Sequence, residues 1–396
     1  MDLSAFNEVI HLDPESRTVE AEGLTTFETL VRHTLAAGFL PTVSPELKHI
    51  TVGGAVVGIG IESTGFRHGF VHDGLVEADV LLGSGEIVTT SAASEPDLFD
   101  ALPNSYGTLG YILRARMRLI EAKPYVAIDN TRCRSVEEYV DAFAGAVEDD
   151  DCDFIEGLFY GPGELYLTRG TMTDEAPATV DIYRDNIYYR YLREHASFHL
   201  DTFDYIFRYD PDWFWNIPET PLYNVFRRHA PLSMRSSKFY NRYVAAKSRW
   251  RKRLGLPKPR GDEQLIQDWE VPRDNAVEFM RYALAEVDLG GKPWVAVPIR
   301  PVRAVTLYPL QPGAVYMNIG CYCYTKKPRR DIDYYYTRIL DEKCVELGGR
   351  KMLYSSSFFT REEFDRLYGG ERYAELKRRY DPDGKLPTLF EKAVTG

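Results

Sequence analysis

Between Pro45 and Gly69 the chain reads PELKHITVGGAVVGIGIESTGFRHG, with glycine at 53, 54, 58, 60, 65 and 69 and hydroxyls at Thr51, Ser63 and Thr64. A backbone so free of side chains can approach a ligand closely and offer N–H groups to an anion. A second segment, NSYGTLGYI, repeats the theme with Gly107, Thr108 and Gly110 ahead of Ile112. Such residues suit the gripping of a phosphate-bearing cofactor, and two plain glycine-rich turns are the alternative. Neither segment fits a Rossmann fingerprint: Gly58-x-Gly60 lacks its third glycine, and Gly83-x-Gly85 sits inside a hairpin. There is no Walker sequence either.

Other constellations are weaker. His195 and His199 stand at i, i+4, a spacing that binds metal on a helix, but no HExxH motif or third ligand accompanies them. A solvated helix face is the simpler reading, and no metal is expected. His68 and His72 flank the end of the first glycine segment, either beside a cofactor or in a surface turn. Cys321 and Cys323 alternate onto one face of the strand-like run YMNIGCYCY, with no second pair to complete a zinc site. With Cys133, Cys152 and Cys344 they read as ordinary thiols of a reducing compartment.

These residues need elements to hold them. NEVIHL and RTVEAEG flank Asp13–Ser16 as a hairpin; Thr25 with Glu28 makes a capping box for a helix that stops at Gly38. ADVLLG and EIVTTS form a second hairpin, Ser94 caps a short helix, and YILRARMRLIEA alternates as a strand. Past residue 121 come a helix over VEEYVDAFAGAVE, strands over DFIEGLFYG and GELYLTRG, and an aromatic, mostly helical region from Tyr183 to Phe226. Strands over KPWVAVPIR, VYMNIGCYCY and RKMLYSSSF precede helices starting near Thr360 and Gly370. With 396 residues, this predicts two α+β domains, residues 1–121 and 122–396.

The order TVGGxxxGxGIES, hairpin, DLF, GTLGY, strand resembles the second half of the FAD-binding PCMH-type domain of the vanillyl-alcohol-oxidase superfamily. LPTVSPELKHITVGGAVVGIGIEST, FIEGLFYGPGELYLTRGTMTDEA, QDWEVP and KMLYSSSFFTREEFDRLYGGERYAELK are similar, in the same order, to stretches of the delta-24 sterol reductases. The resemblance implies an α+β fold in which a PCMH-type domain, N-terminally incomplete, is joined to an α+β substrate domain. It implies FAD held by Thr51, Gly53, Gly54, Gly58, Gly60, Glu62, Ser63, Thr64, Gly107, Thr108, Gly110 and Ile112, with NADPH as electron donor. The chain opens where the superfamily's FAD domain is already midway, so weak FAD binding is expected of it. The activity implied is reduction of an isolated carbon–carbon double bond in a sterol-like, isoprenoid or fatty-acyl lipid. Rival readings are an FAD-dependent oxidase or dehydrogenase of an alcohol, sugar or hydroxy acid, and a truncated flavodomain that binds a lipid or partner without redox activity.

Such a reduction needs hydride on one alkene carbon and a proton on the other, so the protein must supply an acid. Tyr322, Tyr324, Glu156 and Tyr160, on substrate-domain strands, are the candidates, each with a packed sheet position as its alternative. The Tyr183–Phe226 run, including Tyr188, Tyr205, Tyr209, Trp213, Phe214 and Trp215, suits a pocket wall for a long apolar substrate, or domain core. Net charge is -11, which excludes wholesale nucleic-acid binding. Residues 227–260 reverse it locally, with twelve Lys or Arg, no acid, and aromatics interleaved. They suit an anionic membrane surface, or a solvated helix and loop. The opening MDLSAFNEVIHLDPES has neither a basic n-region nor an apolar core, and no run of about 18 apolar residues occurs. The expectation is a cytoplasmic protein able to meet a membrane.

Overall fold

The computed structural model describes residues 2–181, 187–215, 222, 225, 226, 229–255, 262–326, 329 and 331–394. Two antiparallel sheets organise it. The first contains β1 (Val9–Asp13), β2 (Thr18–Glu22), β3 (Phe39–Pro41), β4 (Leu75–Leu81), β5 (Ile87–Ser91) and β6 (Tyr111–Glu121). Its order is β1-β2-β6-β4-β5, with β3 also paired to β6. In β6 the alternation is clean: Leu113, Ala115, Met117 and Leu119 are buried, and Arg114, Arg116 and Arg118 lie on the other face. Arg114 there meets Asp79 and Glu77 at 2.7 and 2.6 Å.

Both expected hairpins are present, but two caps fall elsewhere. Thr26, not Thr25, caps the helix Phe27–Leu35, because the Thr25 hydroxyl donates to the Glu8 carbonyl at 2.8 Å. Glu95, in a left-handed conformation, precedes the helix Pro96–Ala101, while the Ser94 hydroxyl closes the preceding turn onto the Thr89 carbonyl.

The second sheet runs β10-β7-β9-β8-β12-β13-β11-β14. Its strands are β7 (Tyr125–Cys133), β8 (Phe154–Gly161), β9 (Glu164–Thr173), β10 (Ser197–Asp201), β11 (Asp262–Pro272), β12 (Trp294–Ile299), β13 (Tyr316–Lys326) and β14 (Arg350–Lys351). β10 interrupts the region expected to be mostly helical. Phe198 and Leu200 alternate inward, and the open edge of β7 offers a full ladder, which outweighs local helix propensity. RKMLYSSSF contributes only the two residues of β14.

Period two gives this sheet two distinct faces. Ile155, Phe159, Trp269, Val271, Met317, Ile319, Cys321 and Cys323 share a core with the helices Val136–Asp149, Arg273–Glu286 and Tyr335–Glu346. Each fully buried large apolar side chain in such a core contributes roughly 1.5–3 kcal/mol. On the other face Phe154, Leu158, Tyr160, Val297 and Ile299 join the core of the first sheet. The C-terminal helices Arg361–Leu367, Gly370–Tyr380 and Leu389–Ala393 return to the first sheet. There Lys377 donates to the Thr108 carbonyl at 2.7 Å and Lys392 to that of Tyr106 at 2.5 Å, bracing the second glycine segment from behind.

Candidate active site

The first glycine segment folds as a short helix, Val52–Val57, whose cap Thr51 accepts from the Gly54 N–H at 3.2 Å. Its glycines have separate reasons to be glycine. A Cβ on Gly53 would lie 2.9 Å from the Gly23 carbonyl, and one on Gly60 would lie 2.7 Å from Val71. Those two serve close packing. Gly54 is exposed, where a Cβ would meet the Thr51 hydroxyl at 2.8 Å, and Gly58 is half-buried, where one would lie 2.8 Å from the Gly54 carbonyl and 3.7 Å from the Tyr106 ring. Between them and the next turn, Ile59 is forced to a φ of 57°.

The second glycine segment is a run of left-handed residues, Asn104, Tyr106 and Gly107, at φ of 63°, 49° and 75°. Gly110 leaves no room for a side chain, since a Cβ would meet Val80 at 2.5 Å. Thr108 turns its hydroxyl back to Ser105, and Ile112 packs against Gly53. Ser44, Thr64 and Ser105 carry buried hydroxyls with no hydrogen-bond partner among the described residues. Unpaired buried hydroxyls next to bare backbone form a donor set that a polar cofactor would complete. The residues present therefore fit a flavin dinucleotide.

Glu62 and Ser63 tie this segment to the second sheet. The Ser63 carbonyl accepts from the Ile155 N–H at 2.9 Å. Arg208 lies between Glu62 and Glu156, at 2.7 and 2.5 Å, with all three side chains almost fully buried. Tyr188 and Tyr209 donate to the same Glu156 carboxylate at 2.6 and 3.1 Å. Glu156, a sequence candidate for the acid, is thus an acceptor in a clamp between the glycine segment and the second sheet. Arg208, which the sequence reading did not single out, holds the clamp together.

Farther along the inner face a second cluster gathers. Asp268 accepts from the Tyr322 and Tyr354 hydroxyls at 3.0 and 2.6 Å. Room for its carboxyl comes from Gly320 across the ladder, where a Cβ would stand 2.2 Å from Asp268 Oδ1. Burial pushes Asp268 up to about 6, against the lowering effect of the two phenols. Two residues on, Glu270 accepts from Tyr308 and, at 2.8 Å, from the Asn318 amide. Burial pushes it up to about 8, so it is largely protonated at neutral pH.

The cluster borders open space. Tyr354 is 39 % exposed although its hydroxyl turns inward, and Tyr322, Tyr106 and Glu46 are half-buried. Glu46 lies in the Pro45-Glu46-Leu47 lead into the glycine segment. Burial holds it well above the usual carboxylate range, and the charge of Glu62 raises it further. The charges of Glu270 and Asp268 reach Tyr106, and that of Glu46 reaches Tyr322, so the carboxyl-phenol cluster lies near both glycine segments.

The remaining sequence candidates lie elsewhere. Tyr324 is 49 % exposed on the same strand as Tyr322, beside Tyr240. Tyr160 is buried and donates to the Tyr189 carbonyl. His195 ends the helix Tyr188–Glu194 and stacks on Tyr191, whereas His199 lies on β10, so the pair shares no helix face. All five cysteines are buried free thiols. His72 is buried on the first-sheet side, where desolvation keeps it well below its ordinary range. From the aromatic run, Tyr188, Tyr205 and Tyr209 surround Arg208. Tyr183 and the side chains of Trp213, Phe214 and Trp215 lie outside the described residues, as do residues 227, 228 and 256–260.

Residues 1–91 match the family described as FAD binding domain. Along 97% of its length the chain is 26% identical to the delta(24)-sterol reductase of Homo sapiens, covering 76% of that protein. The Arabidopsis thaliana delta(24)-sterol reductase is 24% identical over 100% of the chain and 76% of its own length. A shorter stretch, 27% of the chain, is 40% identical to cytokinin dehydrogenase 2 of Oryza sativa subsp. japonica, covering 19% of that protein.

Proposed function

We propose that this chain, a delta(24)-sterol-reductase-like flavoprotein oxidoreductase of the PCMH-type FAD-binding superfamily acting on a carbon–carbon double bond, reduces an isolated alkene in a sterol-like, isoprenoid or fatty-acyl lipid with NADPH as donor. The observation that carries the proposal is the Asp268–Tyr322–Tyr354 cluster near both glycine segments. Bound FAD supplies hydride. The chain's own residues have three tasks: to hold the cofactor, to deliver a proton, and to tolerate positive charge on the substrate.

Gly54, Gly58, Ser63, Thr64 and the Gly107 turn are the residues proposed to hold the cofactor, through bare backbone and unpaired hydroxyls. Proton delivery falls to Tyr322 or Tyr354, whose hydroxyls share one carboxyl of raised pKa. A phenol that gives its proton to an alkene carbon regains one from protonated Asp268, so no free phenolate accumulates in a buried site. An alkene protonated first becomes electron-poor at its other carbon. Glu62 and Glu156, against the guanidinium of Arg208, leave an excess of negative charge that makes that developing charge tolerable.

An oxidase of alcohols needs instead an ionised base at the reacting carbon. Asp268, pushed up to about 6, fits that role as well, so experiment separates the two readings. The test is stopped-flow spectroscopy of the protein loaded with FAD. NADPH should bleach the flavin absorbance, and an alkene lipid such as desmosterol should restore it under anaerobic conditions. Rapid bleaching by a small alcohol or sugar, with hydrogen peroxide formed in air, would replace this reading with the oxidase one.

A further inference from the structure

The helix Ser237–Arg253 begins inside the protein and ends outside it. Ser236 caps it by accepting from the Phe239 N–H at 3.3 Å. The Ser237 hydroxyl donates to Asp210 at 2.5 Å, and Ser237 and Tyr240 are buried. Beyond Tyr240 the burial stops. From Asn241 to Gly255 every residue is exposed except Val244 and Arg251, which are half-buried. A helix end exposed on nearly all sides gains little from packing and must owe its composition to something else.

That composition is specific. The helix carries seven Lys or Arg and no Asp or Glu, within a protein of net charge -11. Tyr243, Lys247, Trp250 and Leu254 recur at i, i+4, i+7 and i+11, which places them in one stripe. Trp250 is 67 % exposed and Leu254 60 %. Arg242, Arg249, Lys252 and Arg253 lie exposed around that stripe. In the stretch leading to the helix Leu222, Val225 and Met234 are exposed as well.

We propose that Tyr243–Leu254 is a docking surface for an anionic lipid bilayer, with Trp250, Tyr243 and Leu254 entering the headgroup boundary and Arg242, Arg249, Lys252 and Arg253 at the lipid phosphates. Two observations together single out a bilayer. Cations alone would suit any polyanion, but tryptophan, tyrosine and leucine on one stripe suit an interface that is apolar below and charged above. Among the described residues no helix is long and apolar enough to cross a membrane, so this contact is peripheral. It is independent of the reductase reading, because docking requires neither flavin nor turnover.

Co-sedimentation with two kinds of vesicle tests it, phosphatidylcholine alone and phosphatidylcholine mixed with phosphatidylserine. The full chain should bind the mixed vesicles far better, and binding should fall as salt rises. Each basic side chain near such a surface strengthens binding roughly fivefold. Arg249→Ser, Lys252→Ser and Arg253→Ser together should therefore weaken it roughly a hundredfold. The pair Trp250→Ala and Leu254→Ser, with all charges kept, should also release the protein from vesicles while leaving its affinity for heparin unchanged. All these positions are exposed, and an unaltered melting temperature confirms that the variants fold. Three results would overturn the proposal: no binding by the unaltered chain, equal binding to both vesicles, or loss with the charge variant only. The last would identify a general polyanion surface.

Discussion

The two faces of the eight-stranded sheet are built from the same strands, and their buried carboxyls keep different partners. On the helix-covered face the buried carboxylate Glu263 accepts from the backbone N–H groups of Tyr336 and Thr337 at 2.9 and 2.8 Å. The Thr337 hydroxyl joins them at 2.8 Å, and because all three donors belong to the start of one helix they serve to seat it. On the inner face Asp268 and Glu270 take their hydrogen bonds from phenols and a side-chain amide. Phenols can rotate and give up protons. Burial is common to both faces, so it is the kind of partner that separates a structural carboxylate from a reactive one.

The largest effect should come from opening the clamp that joins the inner face to the glycine segment. Arg208→Met leaves Glu62 and Glu156 buried without a counter-ion, and stability should fall by about 3–5 kcal/mol in urea unfolding. Adding Glu62→Gln and Glu156→Gln should recover much of the loss. If Arg208→Met alone unfolds at the same urea concentration as the parent, the clamp is not what holds this interface.

Asp268→Asn comes next, with an expected loss in kcat of about a hundredfold or more and little change in melting temperature. The sign of its pH dependence follows from the role. Protonated Asp268 is the active form, so the parent's rate should fall as pH rises through about 6. Tyr322, Tyr354, Glu270 and Lys351 all bear on that titration. A variant that keeps the same limb in its pH–rate profile would remove Asp268 from the proton path.

Glu270 should show itself in stability. Its folded pKa is raised from 4.5 to about 8, so the native state binds this proton more tightly than the unfolded chain does. The resulting stabilisation is full below the unfolded value and is lost as pH rises through the folded one. Glu270→Gln should flatten the fall between about pH 5 and 8 by on the order of 1 kcal/mol or more, measured by urea unfolding at several pH values. Parallel curves for parent and variant would mean that Glu270 is ionised in the folded protein.

The smallest effect is expected on the helix-covered face. Ile319→Val, in the outer core, should cost about 0.5–1.5 kcal/mol and leave kcat unchanged. A change in kcat would show that the two faces are coupled through β13.

The sequence by itself determined a good deal. Period two on YMNIGCYCY assigned Cys321 and Cys323 to one side and Tyr322 to the other, because successive side chains on a strand must alternate. Likewise, the glycine spacing of residues 45–69 and 107–110 marked where backbone comes close to something else. It could not separate Gly53 and Gly60, which are close-packed against neighbouring chain, from Gly54, which is exposed. Nor could it find the partners. Asp268 reaches Tyr322 and Tyr354 across 54 and 86 residues, and Arg208 reaches Glu62 across 146. Those meetings depend on the register of β11 against β13, which sets Asp268 opposite Gly320, and on the turn that brings Arg208 under the glycine segment. Register and docking are properties of the packed chain, fixed only when a strand finds its neighbour. The acids of this site were present in the sequence, but tertiary structure alone gave them phenols for partners.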